Sequence, residues 1–200
     1  MEVKKFLIAV CVFSLAMYGF AQDEAGQGVS SKEASMEINS TAFGHGEFMP
    51  VEFTCDGSDK SPNLAFLNVP EEAISLVLLC EDPDAPAGLW VHWVVFNIPP
   101  VCKGFGLNIP KTPRPELKIN DSLVGFYQGK NDFGKFGYGG PCPPKGPAHR
   151  YFFRLFALDI NLRFDEEQFE KGISRNRILE AMEGHVIAEA ELMGKYKRRE

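Results

Sequence analysis

Two short stretches of the chain combine side chains that can carry charge with loops that can hold those side chains still. In the first, Asp82 and Asp84 follow the apolar run SLVLLC, and a turn rich in proline and glycine leads to His92 in a second apolar run. If the two runs pair as a hairpin, the carboxylates and His92 lie at the same edge of a sheet. A carboxylate beside a histidine fixes its tautomer and favours the imidazolium form. This stretch therefore predicts an anion site beside a cation site.

The second stretch is the loop YGGPCPPKGPAHRYFF at 138–153, whose first ten residues contain four prolines and three glycines. Proline fixes φ and lowers the conformational entropy of the unfolded chain, while glycine lets the backbone approach a ligand closely. We expect the loop to hold backbone amides and His149 around a small anion with little ordering cost. Both stretches also have purely structural interpretations, because Asp-Pro turns form without ligands and strand histidines often bond backbone carbonyls.

Strand-like runs separated by glycine and proline must position these side chains between residues 36 and 160. The runs MEINSTAF, SLVLLC, VHWVVFNI and RYFFRLFALD either alternate in hydrophobicity or are continuously apolar. This spacing predicts a mainly β fold, an antiparallel β-sandwich with a few short helices.

The C-terminal part of the chain contains the predicted helices and one more strand. Asp165 caps a predicted helix EEQFEK that ends at Gly172, and Ser174 caps a second predicted helix, RNRILEAME, that ends at Gly184. The segment VIAEAELMGKY alternates with a period of two, which predicts a closing strand although its alanine and glutamate content favours a helix.

The N-terminal segment 1–21 has the features of an export signal, because Lys4 and Lys5 precede the apolar run FLIAVCVFSLAMYGFA. An uncleaved anchor is the alternative. Residues 22–35 are small and polar and predict a flexible linker, which leaves 36–200 as one domain. We therefore expect a periplasmic or secreted protein with no transmembrane segment in the mature chain. The net charge of −6 argues against a nucleic-acid partner, because binding phosphates needs a basic face.

Four cysteines follow the predicted signal, and their spacing does not determine which of them pair. Cys80 ends an apolar run, where a buried free thiol is expected. Cys55 and Cys142 lie in loops among glycine, proline and aspartate, so they are the better pair if a disulfide forms.

Taken together, these motifs resemble the phosphatidylethanolamine-binding protein family, in its bacterial Raf-kinase-inhibitor-like branch. The resemblance covers essentially the whole chain after residue 36. It implies a single β-sandwich domain with a large sheet, a smaller sheet and a small anion-binding pocket at one end. The motifs that carry it are DPDAP at 82–86, VHW at 91–93, GPCPPKGPAHRY at 140–151, FTCDGSDKSPNL at 53–64, NDFGKFGYGG at 131–140 and GHVIAEAEL at 184–192.

The resemblance also implies which residues line that pocket and how it differs from those of relatives. Where some members outside bacteria have a small residue and a glycine, this chain has Pro-Cys, so Cys142 narrows the pocket mouth or offers a thiol. The C-terminal helix that covers the pocket in many animal members is expected to be absent. A Cys55–Cys142 disulfide is expected because the resemblance places both loops near the pocket. The implied ligand-binding residues are Asp82, His92, Gly140, Cys142, Pro143, His149 and Tyr151.

Three classes of function are compatible with these residues. The first is a non-enzymatic protein that binds a phospholipid head group or another small anion and needs no cofactor. The second is an inhibitor or interaction module for a kinase or protease partner. The third is a hydrolase using Asp82, His92 and His149, or a zinc protein that uses Cys142 as well. The chain contains no GxSxG, HExxH or P-loop motif, and these residues do not have the spacing characteristic of a zinc site. We therefore predict a binding protein and not an enzyme.

Overall fold

Continuously apolar segments form the centre of the fold, which is an antiparallel sheet. The structure, a computed structural model, describes residues 35–119 and 121–198. Within these residues the strands are β1 (Glu37–Asn39), β2 (Leu64–Leu67), β3 (Ser75–Asp82), β4 (Trp90–Ile98), β5 (Gly104–Phe105), β6 (Glu116–Ile119), β7 (Ser122–Gly125), β8 (Tyr127–Gln128), β9 (His149–Leu158) and β10 (Val186–Tyr196). The described helices are α1 (Glu166–Lys171), α2 (Arg175–Met182) and the single 3-10 turn Val51–Phe53.

The strands of the described residues form two sheets that pack against each other. The larger has the order β10-β9-β3-β4-β8 and the smaller the order β1-β2-β5, while β6 and β7 form a separate hairpin. All strand pairings are antiparallel. The predicted mainly β antiparallel sandwich, with a large sheet and a smaller sheet, is confirmed.

Strand β3 is buried along its whole length because hydrophobic clusters cover both faces of the large sheet. Leu76 and Leu78 belong to the cluster between the two sheets. Val77 and Leu79 belong to a second cluster, which includes residues of α2 and against which Phe169 of α1 packs. A strand with two buried faces has no polar alternation, which explains the continuously apolar run SLVLLC. The strand therefore carries Asp82 at its end on a rigid support.

The predicted helices and the predicted closing strand are confirmed. The side chain of Asp165 accepts a hydrogen bond from Gln168 N, and the Gln168 side chain accepts one from Asp165 N, which forms a capping box for α1. Gly172 follows the last turn of α1 with φ of +85°, a conformation that favours glycine. Ser174 caps α2 by accepting a hydrogen bond from Arg177 N. The alternating C-terminal segment forms β10, which pairs with β9.

The predicted export signal, 1–21, lies outside the described residues, as does all of the predicted linker 22–35 except Ser35. The described residues belong to one compact unit. None of the helices in 35–119 and 121–198 is long and apolar enough to cross a membrane. The signal, the linker and the domain boundary at residue 36 stay predictions.

Candidate functional site

Three adjacent strands of the large sheet bring the predicted side chains together at one end of the sheet. Strand β3 ends at Asp82, its neighbour β9 begins at His149, and its other neighbour β4 begins two residues before His92. Asp82 pairs with Trp90 in the antiparallel β3–β4 ladder, so the predicted hairpin is confirmed. The site is therefore built on adjacent strands, which hold side chains more firmly than loops do.

A β-bulge in β4 decides where His92 points. Cys80 pairs with Trp93 and Glu81 pairs with Val91, so His92 is the extra residue in the ladder. Trp93 belongs to the cluster between the two sheets and Val91 to the cluster on the opposite face. Because a bulge interrupts strict alternation, it can re-aim a side chain. It turns His92 into the same cavity as His149.

The buried carboxylate of Asp82 contacts His149 and not His92, contrary to the pairing expected from the hairpin alone. His149 Nδ1 donates a hydrogen bond to Asp82 Oδ2 at 2.8 Å, and Asp84 N donates to Asp82 Oδ1 at 2.8 Å. Asp82 and His149 are 3% and 6% exposed, so this polar contact is shielded from solvent. This contact joins the neighbouring strands β3 and β9. The spacing of residues in the sequence does not reveal that these two strands are adjacent.

His92 is held by the backbone instead. Its Nδ1 lies 2.6 Å from the carbonyl oxygen of Gly139, and Gly139 N donates to the His92 carbonyl at 2.9 Å. Since a carbonyl oxygen only accepts, Nδ1 carries the proton. Burial lowers the pKa of His92, although the Gly139 carbonyl and the charges of Asp82 and Asp132 oppose this effect. His92 is therefore neutral near pH 7, and its Nε2 is a hydrogen-bond acceptor.

We expect His92 to make the protein less stable in mild acid. Because its pKa is lowered in the folded state, the unfolded chain binds a proton below about pH 6.5 that the folded chain does not bind. Stability should therefore fall with pH below this point, by up to about 1.4 kcal/mol per pH unit. In urea unfolding, His92→Gln should show a shallower acid slope than the wild type.

The control for this measurement is His45→Gln, because His45 is exposed. This variant should retain the wild-type slope. Parallel pH profiles for the wild type and His92→Gln would contradict the assignment of a neutral His92.

Asp82, His92 and His149 line one cavity of about 230 Å³, which we call the histidine pocket. Its ionisable side chains are these three, and its remaining wall is largely apolar. The predicted residues Cys142 and Pro143 also line it. The apolar wall includes Ala85, Pro86, Trp90, Phe133 and Pro144.

Two predicted pocket residues, Gly140 and Tyr151, do not line the histidine pocket. Gly140 N donates to Asp59 Oδ1 at 2.6 Å, so this amide is not available to a ligand. A Cβ at Gly140 would lie 2.4 Å from the carbonyl oxygen of Phe53, and this close backbone contact explains the glycine. Gly140 instead lines a neighbouring cavity that shares Cys142 with the histidine pocket, and its part in ligand binding stays a prediction.

Tyr151 lies beneath the pocket and is fully buried. Its ring packs edge-on against His92, with centroids 5.1 Å apart. Burial, reinforced by the charge of Asp82, raises the pKa of Tyr151 far above its usual range, so the hydroxyl stays protonated. Tyr151 supports His92 and does not form part of the pocket wall.

The structure joins Cys55 and Cys142 by a disulfide, with Cα atoms 5.4 Å apart. Cys142 therefore offers no thiol to the pocket, contrary to one of the two expectations for it. The same bond removes Cys142 from the four-ligand zinc set considered above, because zinc binds thiolate sulfur. Among the described residues, no group of three or more potential ligands is arranged to hold a metal ion.

Asp84 forms an ion pair outside the pocket. Arg150 donates to its carboxylate from Nε at 2.9 Å and from Nη2 at 2.7 Å. The hydrogen bond from Arg150 lowers the pKa of Asp84, although partial burial opposes it. This pair fixes the loop after β3 to the start of β9 and leaves Asp82 as the carboxylate of the pocket.

Sequence reasoning did not single out Trp90 and Phe133 as pocket residues. Trp90 immediately precedes the motif VHW and Phe133 lies within NDFGKFGYGG, so the available signal was an aromatic residue at or beside each motif. Their rings contact each other edge-on, with centroids 5.4 Å apart. Within the described part of the chain, Trp90 Nε1 and the Tyr151 hydroxyl are buried without a hydrogen-bond partner. An indole N–H in a pocket wall is a donor that a ligand can use.

Comparison with known proteins identifies the family. Residues 39–197 match the family model of the phosphatidylethanolamine-binding proteins. The chain belongs to this family. As a member of the phosphatidylethanolamine-binding protein family, the chain is a small binding protein. The match also confirms the resemblance to this family that the motifs indicated.

The relatives of this chain include proteins from archaea and bacteria. The chain is 49% identical over 163 residues to a UPF0098 protein of Methanothermobacter thermautotrophicus, covering 82% of this chain and 99% of the relative. It is 42% identical over 170 residues to a UPF0098 protein of Aquifex aeolicus, covering 84% and 92%.

Two solved structures have the same fold. A phosphatidylethanolamine-binding protein homologue from Chlamydia trachomatis has a TM-score of 0.69 at 40% identity, covering 82% of this chain and 99% of that one. Escherichia coli YbcL, described as a member of the mammalian family, has a TM-score of 0.70 at 30% identity, with coverages of 83% and 100%.

Proposed function

We propose that the chain is a non-catalytic binding protein whose histidine pocket takes a phosphate-bearing head group or a similar small anion. The buried hydrogen bond between His149 Nδ1 and Asp82 carries this proposal. Because Asp82 engages Nδ1, the other ring nitrogen of His149 is left for a ligand in the pocket that His149 lines. When the ring is protonated, this nitrogen donates a charge-assisted hydrogen bond to an anion.

The other polar groups of the pocket complement a partly protonated phosphate. His92 is neutral and offers Nε2 as an acceptor for a P–OH group, while Trp90 offers an indole N–H. The monoanion of a phosphate monoester has both a P–OH group and anionic oxygens. The apolar wall then accommodates the carbon atoms next to the phosphate, as is usual for small-ligand sites.

The composition of the wall favours binding over catalysis. Its lining includes no serine, threonine or lysine among the described residues, and its cysteine is held in a disulfide. Both carboxylate oxygens of Asp82 already accept hydrogen bonds, which weakens Asp82 as a nucleophile. We therefore infer a site that holds a ligand without reacting with it.

The proposal is tested by measuring anion affinity calorimetrically at about pH 6 and about pH 8, on either side of the range in which histidine titrates. Phosphate and phosphoethanolamine are the ligands of interest. Sulfate is the matched probe, because its charge does not change across this range and any pH dependence then belongs to the protein. Binding should be tighter at the lower pH for all three, and equal sulfate affinity at both pH values would contradict the proposal.

We also propose that the protein is exported and that the segment 1–21 is removed. This proposal rests on the N-terminal sequence, in which charged residues are followed by an apolar run. The intact mass of the protein recovered from the periplasm or the medium should correspond to a chain that begins at Gln22. An unprocessed chain confined to the cytoplasm would exclude export.

A further inference from the structure

A second cavity, of about 290 Å³, shares Phe133 and Cys142 with the histidine pocket. We call it the lysine cavity, because Lys111 and Lys135 line it. None of the three ionisable side chains of the histidine pocket contributes to its wall. We propose that the lysine cavity is a separate binding site for a small organic acid, in which a carboxylate is attached to a flat apolar body.

The charges around the lysine cavity favour an anion. Lys111 Nζ donates to the carboxylate of Asp59 at 2.6 Å and to its carbonyl oxygen at 2.7 Å. An ammonium has three N–H donors, so one donor of Lys111 is left over. Lys135 is exposed and makes no salt bridge within 35–119 and 121–198. Two lysine side chains and one carboxylate side chain thus line the cavity, in a chain whose net charge is −6.

The body of the cavity favours an apolar ligand with a flat shape. Its wall includes the rings of Phe133 and Tyr138 and the disulfide between Cys55 and Cys142. The Tyr138 hydroxyl donates to the Phe53 carbonyl at 2.8 Å, so its own hydrogen bond is already made. The volume lies just below the range of about 300–1,000 Å³ for ligand pockets. It suits a molecule with a single ring better than a lipid chain or a peptide.

Both walls of the cavity are held in place before any ligand binds. The Asn131 side chain donates to the Gly137 carbonyl and accepts from Phe133 N and Lys135 N, which fixes the turn that carries the phenyl ring and the ammonium. On the opposite wall, Asp59 accepts from Gly140 N and binds Lys111. Binding therefore requires little ordering of the protein, which lowers its entropic cost.

The test compares benzoate with benzamide, which has the same ring and nearly the same shape but no charge. Wild-type protein should bind benzoate saturably in titrations followed by NMR, with benzamide weaker by about fivefold. Lys135→Gln removes one ammonium from an exposed position and should also weaken benzoate about fivefold, as expected for an ion pair near the surface. Lys130→Gln is the matched control, since Lys130 does not line the cavity and lies over the Phe136 ring.

The variant His149→Gln separates this site from the histidine pocket. It should leave benzoate affinity unchanged, whatever it does to phosphate binding, so failure of one site is distinguishable from failure of the other. Three results would overturn the proposal: no saturable benzoate binding, equal affinity for benzoate and benzamide, or equal benzoate affinity in the wild type and Lys135→Gln. Loss of benzoate binding in His149→Gln would place the acid in the histidine pocket, and this result would also overturn the proposal.

Discussion

Removal of the Cys55–Cys142 disulfide is expected to lower the free energy of unfolding by about 4 kcal/mol. The two cysteines are 87 residues apart in the sequence, so the bond closes a long loop and confines the unfolded chain. The variant Cys55→Ser/Cys142→Ser should remain folded, because Cys55 N still donates to the Pro141 carbonyl and Gly140 N still donates to Asp59. Urea unfolding of the oxidised wild type and the double variant measures the difference.

A thiol reductant provides the control for this experiment. Both bonded cysteines are exposed, so a reductant can reach the disulfide and should bring the wild type to the stability of the double variant. The variant itself should not respond, because Cys80 and Cys102 are buried and free. Burial also raises the pKa of both thiols, which keeps them unreactive. A difference below about 1 kcal/mol between the oxidised wild type and the double variant would show that the bond does not constrain the chain as inferred.

Replacement of His149 by glutamine is expected to weaken binding of phosphate or sulfate at about pH 6 by roughly ten- to a hundredfold. A glutamine amide can still donate to Asp82, so the buried carboxylate keeps a partner and the fold is retained. Glutamine cannot carry the positive charge of an imidazolium, however, and so the charge-assisted hydrogen bond to the anion is lost. That bond accounts for about 1.5–3 kcal/mol.

Calorimetric titration measures this effect, and it requires two comparisons. The variant should lose the pH dependence of sulfate binding as well as the affinity, which a merely distorted pocket would not predict. His45→Gln, which changes an exposed histidine away from the pocket, should bind as the wild type does. If His149→Gln binds sulfate with unchanged affinity at about pH 6, the anion does not contact His149.

Local patterns were sufficient to predict most of the secondary structure. The apolar run SLVLLC and the alternating segment VIAEAELMGKY correspond to β3 and β10. The caps at Asp165 and Ser174 correspond to the starts of the two described helices. These features could be predicted because they depend on residues within one element, whose periodicity and end groups determine its conformation.

Only the tertiary structure decided how the site is assembled. Proximity along the chain suggested that Asp82 would contact His92, yet its partner is His149, 67 residues away on the other neighbouring strand. The bulge that turns His92 into the pocket depends on the register between β3 and β4. Gly140 was predicted as a pocket residue, but its position follows from the close approach of Phe53 and Asp59. In each case the deciding contact joins segments far apart in the chain, so strand order and register determine the outcome, and the residue types and spacing within one motif do not contain that information.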